Sequence, residues 1–306
     1  MKIFIKPKFL ISLIISFTAL FFSFKDFDFN NFLAIINNAR AFYIFVPCLL
    51  LILSVWIRAI RWKFLIPKNE KITVKDLFEL EMVGFFGNNI FPMRFGEIHR
   101  IFLLSEKFGL SKTLSAGSVF LERILDVFGL LVLSLSLFFY PINYEFKKYI
   151  LLSVVILLIS LFLFLAFKNK IRTSNNTIIK DFFQSFNSLQ SKNIKKILLL
   201  SILIWMIFLI NIHLIQFSLY IGLSIFDSLF ILLLSTLAIA IPAAPGMIGT
   251  FHFAVSYSMK FLGFEIDLSN TFAILLHAYG FLTFTFVGFF YFLKYQTYDF
   301  SFKKNK

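Results

Sequence analysis

Two short polar segments containing proline and glycine interrupt an otherwise apolar chain, at residues 87–100 and 242–252. Both contain the spacing Pro-x-x-x-Gly-x-x-His, as Pro92/Gly96/His99 and Pro245/Gly249/His252. The two copies lie 153 residues apart in a chain of 306. Interrupted hydrophobic segments at matching places in two halves of a membrane transporter point to a substrate site near the bilayer midplane. The spacing therefore predicts two helix breaks that line one polar site, and an inverted repeat is one arrangement that would bring them together.

The first segment carries groups suited to binding a phosphate. Arg94 and Arg100 offer planar, permanently charged guanidinium forks that match phosphate oxygens. Glu97 and Arg100 are three residues apart and could pair on one helix face. The candidate site residues of this segment are Asn89, Pro92, Arg94, Gly96, Glu97 and Arg100. The alternative is a solvated cytoplasmic loop whose charges only set the topology.

A second group of charges, Glu122, Arg123 and Asp126, lies inside the apolar run 114–140. Glu122 and Asp126 share a helix face, and Arg123 can reach Asp126 at i, i+3. Ionisable groups within a membrane helix are costly against lipid, so these three are expected to point into the bundle. They would line a substrate pathway or, alternatively, form a structural ion-pair cluster. In contrast, Arg58 and Arg61 are expected to be interfacial anchors beside Trp62.

The second segment is expected to break its helix because Pro242, Pro245, Gly246 and Gly249 fall within eight residues. A helix that restarts after the break presents free N–H groups, which favour an anion. His252 is the one titratable group there. It is a candidate site residue, although a hydrogen-bonded packing role is the alternative.

The composition indicates an all-α integral membrane protein. Apolar residues make up 59% of the chain, and 47 residues are phenylalanine. A transmembrane helix needs about 20 apolar residues. Candidate runs occur about eight times, at roughly 9–24, 42–66, 114–140, 147–167, 197–221, 226–243, 248–262 and 270–293, of which the first and the seventh are short. Residues 73–105 are apolar but interrupted by Asn88, Asn89, Pro92, Arg94 and Glu97. They are expected to form two short re-entrant or interfacial helices, the first started by a capping box at Thr73 and Asp76. Re-entrant or broken segments are thus predicted near 85–100 and 242–250.

The charges predict an orientation with both termini in the cytoplasm. In that topology 25 of the 30 Lys and Arg residues lie on the inner side, in agreement with the positive-inside rule. The chain is then one polytopic domain over residues 1–306, with halves 1–167 and 197–306 joined by a cytoplasmic loop at 168–196. Part of that loop, 178–186, could form a surface helix. The basic balance reflects orientation and attraction to anionic lipids, so no nucleic-acid partner is expected.

Signatures of soluble enzymes are missing from the sequence. It contains no Walker loop, no nucleophile elbow and no metal-spaced His/Cys cluster. The single cysteine, Cys48, can form neither an internal disulfide nor a cysteine-based metal site. No catalytic residue, metal or cofactor is therefore predicted.

These motifs resemble the flippase-like membrane domain of the lysylphosphatidylglycerol synthase family. The matching stretches are Arg58…Arg61-Trp62, Asn89-x-x-Pro92-x-Arg94-x-Gly96-Glu97-x-x-Arg100, Glu122-Arg123-x-x-Asp126 and Pro242-x-x-Pro245-Gly246-x-x-Gly249. The chain departs from the family at Met247 and His252, where a second Gly and an acidic residue are usual. The resemblance implies a free-standing member that handles lipid, with no room for the aminoacyl-transferase domain found in two-domain members.

The expected function is binding a phospholipid or other polar-headed lipid and translocating it between leaflets of the cell (inner) membrane. The resemblance implies an anionic or aminoacylated phospholipid, or a glycolipid or isoprenoid-linked lipid, and a separate transferase partner. The first alternative is a membrane-embedded lipid-modifying enzyme, similar to a phosphatidylglycerol lysyltransferase, with Glu97 or His99 as acid or base. The second is an assembly partner that does not transport.

Overall fold

Eleven α-helices and no strand make up the part of the chain that the computed structural model describes, which is residues 7–25, 27–67, 70–91, 94–139, 176–190, 192–240 and 243–295. The helices are α1 (Pro7–Phe24), α2 (Phe29–Asn37), α3 (Phe42–Leu65), α4 (Val74–Ile90), α5 (Phe95–Phe108), α6 (Lys112–Ser134), α7 (Thr177–Gln184), α8 (Ile194–Ile215), α9 (Ile225–Ala240), α10 (Thr250–Phe261) and α11 (Ile266–Tyr295). Short 3-10 turns follow several of them, at Leu135–Phe139, Ser185–Gln190, Gln216–Leu219 and Pro245–Met247.

Three segments among the described residues are long and apolar enough to cross a membrane, namely Phe42–Leu65, Ile194–Leu219 and Ile266–Tyr295. Leu13–Phe24 and Ile225–Ile239 are shorter apolar helices. Many of the side chains that these helices expose are large and apolar, including Phe17, Phe42 and Phe286. An exposed apolar surface of this kind is suited to lipid. The predicted all-α membrane fold is therefore confirmed.

Seven of the eight predicted spans coincide with helices, and the eighth, 147–167, lies outside the described residues. The predicted span 248–262 is wrong as a full crossing. Its helix, α10, has 12 residues and rises only about 18 Å, whereas the hydrocarbon core is about 30 Å thick. Sequence analysis also missed α2, which begins after Asp28, whose carboxylate accepts hydrogen bonds from the first free N–H groups of the helix.

The predicted pair of short helices at 73–105 is confirmed as α4 and α5. The capping box forms as expected: Thr73 Oγ1 accepts from the Asp76 N–H at 3.1 Å, and Asp76 Oδ2 accepts from the Thr73 N–H at 3.0 Å. Gly96 lets α5 fold back onto α4, because a Cβ at this position would lie 1.9 Å from the Gly84 carbonyl oxygen. The break therefore requires glycine here. Pro92, the predicted cause of the break, lies outside the described residues.

Helices from the two predicted halves pack directly against each other. α8 packs against α3 and α6, and α11 packs against α4. The predicted surface helix at 178–186 corresponds to α7 and the turn after it. Its aromatic residue Phe186 is buried, and its backbone approaches α6 at Gly117, where a Cβ would lie 1.9 Å from the Phe182 carbonyl oxygen. α3, α4, α5 and α6 also pack against one another and enclose a polar core.

Candidate functional site

Nine charged side chains from neighbouring helices form one ion-pair network. They are Arg58 and Arg61 from α3, Glu81 from α4, Arg94 immediately before α5, Glu97 and Arg100 from α5, and Glu122, Arg123 and Asp126 from α6. Within the described part of the chain, every ion pair that these nine side chains make joins two members of the set. The network therefore behaves as one electrostatic unit.

Asp126 is the centre of the buried part of the network. Its Oδ2 lies 2.7 Å from Arg58 Nη1, and its Oδ1 lies 2.7 Å from Arg61 Nη2. Arg61 also donates to Ser201 Oγ on α8 at 3.0 Å. Both arginines are buried, so the prediction that they anchor the protein at the membrane interface is wrong. They instead connect α3 to α6, where a buried charge is tolerated only with such partners.

Arg100 connects α5 to two carboxylates on other helices. Its Nη1 lies 2.6 Å from Glu81 Oε1 and 3.0 Å from Glu122 Oε2. The guanidinium also lies over the Trp62 ring, 4.8 Å from the centroid. Arg100 thus pairs with Glu81 and Glu122 rather than with Glu97, the partner that the i, i+3 spacing predicted. Glu81, which sequence analysis missed, is as deeply buried as Arg100.

The accessible edge of the network, called the rim below, consists of Arg94, Glu97 and Arg123. Their side chains are 34%, 23% and 34% exposed, whereas Glu122 is 0% exposed. Glu97 Oε1 lies 3.9 Å from Arg94 Nη1 and 3.7 Å from Arg123 Nη1. Arg123 also approaches Asp126 Oδ2 at 3.4 Å, as the spacing predicted. Glu122, Arg123 and Asp126 therefore divide between the buried network and its rim.

The rim lies against the end of α9, and the neighbouring end of α4 lies beside α11. Arg94 Nη2 donates a hydrogen bond to the carbonyl oxygen of Ile239, near the end of α9. Asn89, at the end of α4, donates through Nδ2 to the Phe281 carbonyl at 3.1 Å and to Thr285 Oγ1 at 3.0 Å. Side chains at the first break thus hold the segments that surround the second.

The second break is shaped by glycines at positive φ. Gly246 has φ of +65°, and its Cβ position would lie 3.5 Å from the Asn89 carbonyl oxygen, so the two breaks are in contact. Gly249 has φ of +97°, and a Cβ there would lie 2.3 Å from the Ser16 carbonyl oxygen on α1. Ser16 Oγ also accepts a 2.7 Å hydrogen bond from the Ala244 N–H. Pro245 begins the short 3-10 turn, and Pro242 lies outside the described residues.

His252 packs against a second histidine, His277, which was not among the predicted site residues. The rings of His252 and His277 are 4.6 Å apart between their centroids. His277 Nε2 lies 2.7 Å from the Gly246 carbonyl oxygen and must donate to it. His252 Nδ1 accepts from the Gly249 N–H at 3.4 Å. The contacts tie α10 and α11 to the second break, and they favour a structural role for His252. Among the described residues, no group of three or more His, Cys, Asp and Glu side chains could hold a metal ion.

The fold and the buried charge network define a polytopic α-helical membrane protein with a polar core. Residues 9–288 match the family model described as the lysylphosphatidylglycerol synthase TM region, and the chain belongs to that family. It is similar to two proteins of Methanocaldococcus jannaschii. UPF0104 membrane protein MJ1078 is 30% identical over 205 residues, which cover 62% of this chain and 85% of that protein. UPF0104 membrane protein MJ1595 is 31% identical over 152 residues, which cover 48% and 45%. No solved structure matches the chain.

Proposed function

We propose that the protein binds the phosphate-bearing head group of a membrane lipid at the rim and moves that lipid between the two leaflets. The observation that carries this proposal is the pair of arginines Arg94 and Arg123, whose side chains are each about one third exposed and whose guanidinium groups flank the Glu97 carboxylate beside the first helix break. Two such forks can clamp a phosphate through several charge-assisted hydrogen bonds.

The position of Glu97 supports the same site. Its carboxylate oxygen lies between the two guanidinium groups at 3.9 and 3.7 Å, which is longer than a hydrogen bond. An anion can therefore approach Arg94 and Arg123 without breaking a short contact between either of them and Glu97. In this proposal the lipid phosphate binds here, and Glu97 is available to an amine on a zwitterionic or aminoacylated head group.

The buried part of the network has a different role in this proposal. Arg58, Arg61 and Arg100 are locked by short ion pairs to carboxylates, so they position the rim and do not contact the lipid. The sequence-based hypothesis that Arg100 holds the phosphate is replaced here by Arg123. The two breaks are in contact beside the rim. In this proposal they move relative to each other, and this movement exposes the rim first to one leaflet and then to the other.

The proposed location is the cell (inner) membrane, with both termini and residues 168–196 in the cytoplasm because this places most basic residues inside. The proposed lipids are an anionic or aminoacylated phospholipid, or a glycolipid or isoprenoid-linked lipid. A separate transferase is the proposed partner. We propose transport rather than catalysis, with no metal or cofactor.

Proteoliposomes with fluorescent phosphatidylglycerol in the inner leaflet test the proposal. Wild-type protein should move the label to the outer leaflet, where a membrane-impermeant quencher removes its fluorescence. Losing a hydrogen bond to a charged group costs about 1.5–3 kcal/mol. Arg94→Ala and Arg123→Ala should therefore each weaken labelled-lipid binding roughly ten- to a hundredfold. Lys192→Ala, an exposed cation between α7 and α8, is the matched control and should behave as wild type.

Three outcomes would contradict the proposal. If the lipid moves equally fast in liposomes with the wild-type protein and in liposomes without protein, the protein does not transport this lipid class. Full activity of both Arg94→Ala and Arg123→Ala would move the binding site elsewhere. A chemically altered lipid recovered after incubation with the protein would replace transport by catalysis.

A further inference from the structure

Two buried carboxyl groups in the network compete for one guanidinium nitrogen. Glu81 Oε1 and Glu122 Oε2 approach Arg100 Nη1 at 2.6 and 3.0 Å. Both side chains are at least 98% buried. The next cation, Arg61, lies 3.8 Å from Glu122 Oε1, and its short contact is with Asp126. One guanidinium is therefore shared by two carboxyls.

The two carboxyl groups also touch each other. The Glu122 side chain is within hydrogen-bonding reach of Glu81. Neither oxygen of Glu122 has a hydrogen-bond partner among the described residues, although Oε2 lies 3.0 Å from Arg100 Nη1. Two carboxylates have only acceptor oxygens, whereas a protonated carboxyl can donate to its ionised neighbour. Two neighbouring carboxylates repel each other in a buried site, and this repulsion favours the state in which the pair holds one proton.

Charged side chains from three helices surround this pair of carboxyl groups. α3 contributes Arg58 and Arg61, α5 contributes Glu97 and Arg100, and α6 contributes Arg123 and Asp126. The carboxylate of Asp126 is already occupied by Arg58 and Arg61 at 2.7 Å each, and Glu97 lies at the rim. A proton on the pair therefore satisfies oxygens that the surrounding cations leave without hydrogen bonds.

We propose that Glu81 and Glu122 form a proton-binding site in which one proton is shared by the two carboxyl groups. The site is called the dyad below. The proton comes from water and leaves to water, and no bond other than O–H forms or breaks. Its coupling to lipid rests on the function proposed above. A proton makes the network more positive, so it strengthens anion binding at Arg94 and Arg123, and by linkage a bound anion strengthens proton binding.

Infrared difference spectra of the purified protein test the dyad without any lipid movement. A protonated carboxyl group and an ionised one absorb at different infrared frequencies. The wild-type protein should show the band of a protonated carboxyl group at neutral pH. Glu122→Gln or Glu81→Gln should remove it. Glu79→Gln is the matched control on the same helix as Glu81, because Glu79 lies outside the pair and accepts from Lys294 at 2.7 Å and from Tyr295 at 2.6 Å. The Glu79→Gln spectrum should retain the band.

The coupling is tested by titrating binding of fluorescent phosphatidylglycerol in detergent against pH. Wild type should lose affinity by roughly fivefold or more as the dyad deprotonates, which is the lower end of ordinary coupling between two sites. Glu122→Gln mimics the protonated state and should show a flattened profile. The Glu79→Gln profile should follow that of wild type.

The outcomes separate the two proposals. A band that is absent from wild type, or that survives in both Glu122→Gln and Glu81→Gln, overturns the dyad. If the variants lose the band as expected but the protein binds no fluorescent lipid, the dyad stands and the proposed lipid function is wrong. A lipid affinity that does not change with pH while the band titrates overturns the coupling. Because the wild-type band is measured directly, poor folding of one variant does not prevent the test.

Discussion

Arg61 donates a 2.7 Å hydrogen bond to Oδ1 of Asp126, and this buried pair joins α3 to α6. Arg58 occupies the other carboxylate oxygen at the same distance. Two permanently charged groups on one helix thus depend on a single carboxylate on another. In a low-dielectric interior, an arginine that lost this partner would remain charged and would be costly to bury.

Asp126→Ala should therefore destabilise the protein much more than Arg123→Ala. The first change leaves both Arg58 and Arg61 without their short contact, and breaking a buried pair typically costs about 3–5 kcal/mol. Arg123 is about one third exposed and lies 3.4 Å from Asp126, so its loss is partly compensated by solvent. Thermal unfolding of both variants in the same detergent measures the difference. Equal unfolding temperatures would show that Asp126 is not the centre of the network.

Arg94→Lys should restore only part of the function that Arg94→Ala removes. The arginine uses Nη2 for the Ile239 carbonyl and presents Nη1 towards Glu97, so one planar group serves two directions. A lysine offers a single charged point and cannot reproduce this fork. Arginine, lysine and alanine at position 94 would all adopt the same positive φ of +54°. The backbone strain is therefore matched among the three proteins. The proteoliposome assay described above, at equal protein content, ranks the variants, and full activity with lysine would exclude a role for the fork.

Local features of the site were predictable from the sequence, whereas long-range partners were not. The capping box at Thr73 depends on residues three apart, and the break before Gly96 depends on adjacent residues. In contrast, Arg58 and Arg61 meet Asp126 across 68 and 65 residues. The sequence around them is equally consistent with an interfacial anchor, so only helix packing decides between the two positions.

Two site residues gave little sequence signal for physical reasons. Glu81 lies in α4, which is buried along much of its length and has no polar stripe to indicate where a carboxylate would point. His277 pairs with a backbone carbonyl, that of Gly246, and such a partner leaves no pattern in residue types. A paired-charge search across separate apolar helices could have found Glu81, whereas His277 required the fold.

Gly249→Ala should be more disruptive than Gly263→Ala, although both glycines have positive φ, at +97° and +92°. A positive φ costs a residue with a Cβ about 1–3 kcal/mol. At Gly249 the added Cβ would also lie 2.3 Å from the Ser16 carbonyl oxygen, whereas nothing lies within 4 Å at Gly263. Overpacking adds about 1–3 kcal/mol. Thermal unfolding should therefore show the larger loss for Gly249→Ala, and equal losses would show that α1 does not hold the second break tightly.

The contact between Asp76 and Lys107 should make the packing of α4 against α5 sensitive to acid. Burial alone would raise the pKa of the Asp76 carboxyl, but hydrogen bonds from Lys107 and Thr73 hold that pKa below its usual value. A depressed folded-state pKa stabilises the protein above the unfolded value of about 3.9, and the contribution disappears as pH falls through the folded-state pKa. The stability difference between wild type and Asp76→Asn should thus be constant near neutral pH and shrink in acid. A difference that grew in acid would contradict the assigned contacts.

Orientation can be tested with single cysteines because Cys48 is the one native thiol. In a Cys48→Ser background, Asn38→Cys and Lys192→Cys place probes at two exposed positions, one between α2 and α3 and one between α7 and α8. With both termini cytoplasmic, the first position lies outside and the second inside, where the excess of Lys and Arg is retained. A membrane-impermeant thiol reagent added to intact cells should label Asn38→Cys at once and Lys192→Cys only after permeabilisation. The opposite labelling pattern would reverse the orientation and place the loop 168–196 outside the cell.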